Sequence, residues 1–114
     1  MAQYINLEYL NSSSKDAGFT KKMIELFLET MPPVMENINK TVVNTDLIGL
    51  GKSAHQAKSS VLIVGLENLS AMFREMELEA KAGNKEKDYQ HLYGECKIIF
   101  DAAILELHEV LKNM

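Results

Sequence analysis

The chain has 114 residues, 46% of them hydrophobic and 25% charged, with a formal net charge of −4 at pH 7. That length suffices for one domain, 1–114, around one core, and the composition is ordinary for a globular protein. Arg74 is the only arginine and no basic run exists, so nothing offers the stripe of cations that nucleic-acid phosphates require, and the mild acidity argues against an anionic membrane surface.

Cys96 is the only cysteine, which excludes an internal disulfide and a thiolate zinc site. The start, Met1-Ala2-Gln3-Tyr4, lacks the basic region and apolar run of a secretory signal. No segment approaches the run of about 18 apolar residues that spans a bilayer. A cytoplasmic location is expected.

Helical periodicity recurs along the chain and strand-type alternation is hard to find, so the fold class is all-α. Ile5, Leu7 and Leu10 mark a short N-terminal helix or turn that packs on the rest. Asn11 to Ser14 is polar turn chemistry, and these residues with Asp16 are candidate caps for the next helix. Phe19, Met23, Leu26, Phe27, Thr30 and Met31 mark the first long helix. Pro32 and Pro33 interrupt it, because neither can donate a backbone hydrogen bond. Val34, Met35, Ile38 and Val42 then resume the period, which fits one bent helix or two abutting ones.

Asn44-Thr45-Asp46 is a capping cluster, and Asp46 suits a helix N-terminus. A central helix follows to about Val64. Its stripe is Leu47, Leu50, Ala54, Ala57, Val61 and Val64, alternately three and four residues apart. His55 falls roughly 130° from the centre of that stripe and so points at solvent. Gly51 and Ser59, one turn to either side, leave the imidazole unwalled, and Lys52 and Lys58 sit three residues away on each side. Ile48, Leu62 and Ile63 add apolar side chains that the core does not obviously need. Gly51 inside the helix costs about 1 kcal/mol relative to Ala. Close approach of a partner or tight packing between helices would each explain it.

Gly65 ends or bends the central helix. Leu66, Leu69, Phe73, Met76 and Ala80 carry the next stripe, Gly83-Asn84 stops it, and a last helix spans roughly 85–113. Its inward residues are expected to be Tyr89, Leu92, Cys96, Ile99, Ala103, Leu107 and Val110. The expected architecture is an antiparallel four-helix bundle with short N-terminal helical segments.

The sequence Ala54-His55, with Lys58 three after the histidine, the small Ser59 four after it and Gly65 ten after it, resembles the histidine-containing phosphotransfer (HPt) domain of two-component phosphorelays. The resemblance extends through Ile5 to Leu10, Phe19 to Leu28 and the Asp46-Leu47 helix start. The chain departs from the family pattern at Ser59, where Gly is usual, and at Ala57, where Leu is frequent.

The resemblance implies that His55 accepts a phosphoryl group from the aspartyl phosphate of one receiver domain and passes it to another. Such receivers belong to hybrid histidine kinases or response regulators, and they bring their own Mg²⁺. The chain itself would then need no cofactor or metal and would act as a monomeric carrier, not an independent enzyme. Lys58, with Lys52 in support, and the Ser59 hydroxyl are the candidates to stabilise the phosphoryl oxygens. Ile48, Gly51, Gln56, Leu62 and Ile63 are the candidates for partner docking. The alternative is a helical docking module that binds a receiver or another signalling protein without being phosphorylated.

Other polar residues read more plainly. His91 and Glu95 share a helix face without a third ligand, His108 sits at a solvated helix end, and Cys96 falls on an apolar stripe.

Overall fold

A computed structural model describes residues 17–114. The expectations for Ile5, Leu7, Leu10, Asn11 to Ser14 and Asp16, including the short N-terminal helical segments, lie outside the described residues. Four helices make up the fold: α1 (Ala17–Val43), α2 (Leu47–Leu62), α3 (Glu67–Lys81) and α4 (Tyr89–Lys112). No strand occurs among the described residues.

The connections are short, so each helix folds back on the one before it. Helix α2 packs most extensively on α3, α1 on α2, α3 on α4, and α4 returns to α1. The all-α four-helix bundle expected from periodicity is therefore present.

Pro32 and Pro33 lie inside one continuous helix. Of the two arrangements the sequence allows, the structure adopts the unbroken one. The physical reason lies on the opposite face. Ile24, Phe27, Met31, Met35, Ile38 and Val42 stay buried in one unbroken stripe across the prolines. Both prolines face solvent, where water can meet the carbonyls that their missing N–H groups leave unpaired. Phe19 and Leu26 mark the helix but lie on its exposed side, and Ile24 takes the core position.

Asp46 caps α2, its side chain accepting from the Gly49 N–H at 3.0 Å. Gly65 and Gly83 hold φ of 76° and 72° in the two following turns, a region where a Cβ is strained. Residues 85–88 belong to the turn, so α4 starts later than the expected 85, with Asp88 as its cap accepting from the His91 N–H.

Leu50, Ala54, Ala57, Val61, Val64, Leu66, Leu69, Phe73 and Met76 are all nearly or fully buried, as their spacing predicts. In α4 the buried aromatic is Phe100; Ile99, the residue chosen from periodicity, is only half-buried. Phe100 meets Phe27 with ring centroids 6.2 Å apart, joining α4 to α1.

Polar ties fix the rotation of the helices about their axes. The Ser70 hydroxyl donates to the Lys58 carbonyl at 2.9 Å, joining α3 to α2. Asn37 on α1 bonds Ser53 on α2, and the Tyr93 hydroxyl reaches the Met35 carbonyl from α4. Among the described residues, no buried side-chain nitrogen or oxygen lacks a partner. The α2–α3 tie matters most for function, because it sets which side chains of α3 face the outer edge of His55.

Candidate functional site

His55 stands in the middle of α2 with 59% of its side chain exposed. Its neighbours Ala54 and Ala57 are buried and form the inward face that fixes the helix against the core. Across from the imidazole, α3 presents Glu77. This carboxylate is only 5% exposed although it lies at the outer edge of the bundle.

Three donors converge on Glu77. The His55 Nδ1 lies 2.7 Å from Oε2, the Lys58 Nζ lies 2.9 Å from Oε1, and the Lys81 Nζ lies 2.6 Å from Oε2. Burial by itself pushes the Glu77 carboxyl up. The hydrogen bonds from Lys81, Lys58 and His55 outweigh burial and hold it at about 2, against an ordinary 4.5. Glu77 is therefore ionised at neutral pH.

That charge state fixes the imidazole. An ionised carboxylate only accepts hydrogen bonds, so Nδ1 carries the proton. In the neutral ring the lone pair then sits on Nε2, at the far side from Glu77. The buried carboxylate thus sets both the orientation and the tautomer, and it leaves the lone pair of the neutral ring on Nε2.

The sequence-predicted site residues fall into distinct groups. Lys58 joins the cluster at Glu77 with its side chain 26% exposed. Lys52 is exposed, and no ion pair of it exists among the described residues. The Ser59 hydroxyl is turned back toward the His55 carbonyl, 3.5 Å away. Ile48, Gln56, Leu62 and Ile63 are exposed, and Ile48 and Leu62 lie two turns on either side of His55 along the same face.

Gly51 departs from its expected group. It is buried, and a Cβ added there would meet the Lys81 Cγ at 3.2 Å. It offers no surface to a partner. Of the two explanations the sequence left open, the packing of α3 against α2 is the one the structure supplies.

Glu77 and Lys81 were not singled out from sequence. Two signals bear on them. Glu77 sits beside Met76 at the edge of an apolar stripe, where a charge is costly unless paired, and Lys81 follows it at the i,i+4 spacing of a helical ion pair.

The remaining titratable groups lie elsewhere. His91 pairs with Glu95 on the exposed face of α4. Cys96 is fully buried, and burial pushes its thiol up to about 12. Among the described residues no group of three His, Cys, Asp or Glu side chains is placed to hold a metal ion, and no helix is long and apolar enough to cross a membrane.

The bundle thus carries an exposed histidine oriented by a buried acid and flanked by lysines. The family model described as Hpt domain matches residues 22–114, and the chain belongs to that family. Hpt domains are phosphotransfer modules of two-component signalling, carriers of the phosphoryl group that interact with receiver domains. Comparison with curated proteins and with solved structures gave no significant match.

Proposed function

We propose that this chain is a phosphorelay carrier in which His55 is the phosphoacceptor. The observation that carries the reading is the Glu77 carboxylate on His55 Nδ1, which leaves Nε2 as an exposed nucleophile beside two ammonium groups.

The step balances without a proton leaving the site. The Nε2 lone pair forms a bond to phosphorus as the bond from phosphorus to the donor's aspartyl oxygen breaks, and the electron pair returns to that carboxylate. The ring keeps its Nδ1 proton and gains positive charge, which the Glu77 carboxylate stabilises. In the return step a second receiver's carboxylate attacks phosphorus, and Nε2 recovers its pair. A loose transition state spreads negative charge over three oxygens, so nearby cations and correct alignment are the main requirements. Lys58, held beside the ring, meets the first of these.

The partners are receiver domains of a hybrid kinase, a response regulator or both, and the Mg²⁺ for the reaction is theirs. Ile48, Leu62 and Ile63, exposed around His55, provide the apolar part of the docking surface. The carrier is a monomer, and a reducing cytoplasm suits its single buried thiol.

The first step of the test needs no partner, and the second adds a receiver domain. The protein and a His55→Gln variant are incubated with phosphoramidate, and intact mass and acid lability are recorded. One acid-labile phosphoryl group on the wild type alone is expected. A wild type that remains unmodified, yet still binds a receiver, would replace this reading with the docking module.

A further inference from the structure

The sequence offers Lys52 as the second cation beside His55, but the fold brings a different lysine to the site. Lys81 is the last residue of α3, and its ammonium shares the Glu77 Oε2 with the imidazole. Its stem reaches that point by lying across Gly51, one turn before His55, where the missing Cβ leaves a gap for the Lys81 Cγ. Lys58 comes from the other direction, one turn after His55, onto the opposite carboxylate oxygen. The imidazole is therefore bracketed along the axis of α2 by one lysine of its own helix and one of the neighbouring helix.

Resting on the phosphoacceptor reading of His55, we propose that Lys81 is the second phosphoryl-binding cation of the site and that Gly51 is a positioning residue that admits it. The two lysines are held differently. Lys58 is largely covered, whereas 56% of the Lys81 side chain is in water. Water around the exposed ammonium weakens its hold on Glu77 and lets it move. A phosphoryl group on Nε2 brings close to two negative charges and three acceptor oxygens. Lys81 gives up the weaker bond for the stronger one, and Lys58 and the Nδ1–H group stay on Glu77. This exchange keeps the carboxylate satisfied in both states, because two of its three donors never leave.

The test compares phosphorylation by phosphoramidate in the full chain and in Lys81→Met, Lys81→Arg, Lys52→Met and Gly51→Ala variants, with Lys97→Met on α4 as a charge control. Lys81→Met is expected to slow phosphorylation about tenfold, less than the roughly hundredfold or more for loss of a donor in a closed site, because this site is open to water. Lys81→Arg should recover most of the rate, Lys52→Met should lose less than Lys81→Met, and Lys97→Met should match the wild type. Gly51→Ala should shift toward Lys81→Met, since its methyl displaces the lysine stem. A direct readout is the ¹⁵Nζ resonance of Lys81, which should move on phosphorylation of His55. A wild type that is phosphorylated while Lys81→Met keeps the wild-type rate, or a Lys52→Met loss as large as that of Lys81→Met, overturns the proposal and leaves the carrier reading intact. A wild type that takes no phosphoryl group overturns both.

Discussion

Replacing Glu77 by Gln removes one charge from a buried site that three donors share, and the cost has a definite dependence on pH. The folded-state carboxyl lies at about 2 against 4.5 in its ordinary environment. Each unit corresponds to about 1.4 kcal/mol, so the ionised carboxylate contributes about 3 kcal/mol to folding at neutral pH. Water around the half-exposed Lys81 reduces this toward roughly 2 kcal/mol. The folded pKa is depressed, so this stability is fully present above the unfolded value near 4.5. It is lost as pH falls from there through 2, below which both states hold the proton. Urea unfolding of the wild type and Glu77→Gln should therefore show a difference of roughly 2–3 kcal/mol at pH 6 that shrinks to about a quarter of that by pH 2.5. Comparing the two proteins cancels the other carboxylates. A difference that stays constant between pH 6 and 2.5 would refute the assignment of Glu77 as an ionised, cation-bound group. The same variant carries a kinetic consequence. An amide carries no charge to stabilise the positive charge that the ring gains when Nε2 is phosphorylated, and it cannot accept from the lysines on both sides at once. Phosphorylation of His55 by phosphoramidate should then slow at pH 7 even where the variant is fully folded.

Two further outcomes follow from the bundle itself. Pro33→Ala restores an N–H group to an exposed helix interior, where proline is up to about 3 kcal/mol worse than alanine. A gain of about 1 kcal/mol or more in urea unfolding is expected, reduced by the extra freedom of the unfolded chain; a loss of stability would contradict a continuous α1. Cys96, buried and with its thiol pushed up to about 12, should resist a thiol reagent at pH 8 in native buffer and react fully in urea. Rapid native labelling would show that the α4 core opens or is packed differently.

Much of this protein was legible because helix formation is local and periodic. The stripes through Leu50 to Val64 and Leu66 to Ala80 need only the 3.6-residue repeat to be placed in the core. The same arithmetic turns His55 outward and sets Lys58 beside it. Where two apolar residues are adjacent, the repeat loses its power to choose. Ile99 and Phe100 differ by one step of 100°, and the core took Phe100 because Phe27 of α1 stood opposite. The prolines show the same limit. Local chemistry marks a break at Pro32-Pro33, yet the burial of Ile24 through Val42 carries one helix across them.

The sequence by itself therefore determined the helical class, the outward histidine, the lysine three residues on and the family resemblance that those residues carry. Only the tertiary structure decided what those residues do to one another. Glu77 is 22 positions from His55 and 19 from Lys58, and the rotation of α3 against α2 alone brings them within hydrogen-bond reach. Gly51 likewise has no local reason for its missing side chain until Lys81 is seen to lie across it. A helical period states which way a side chain leaves its own axis. Which partner it meets, and so which nitrogen of the imidazole stays free, is set by the packing of one helix on the next.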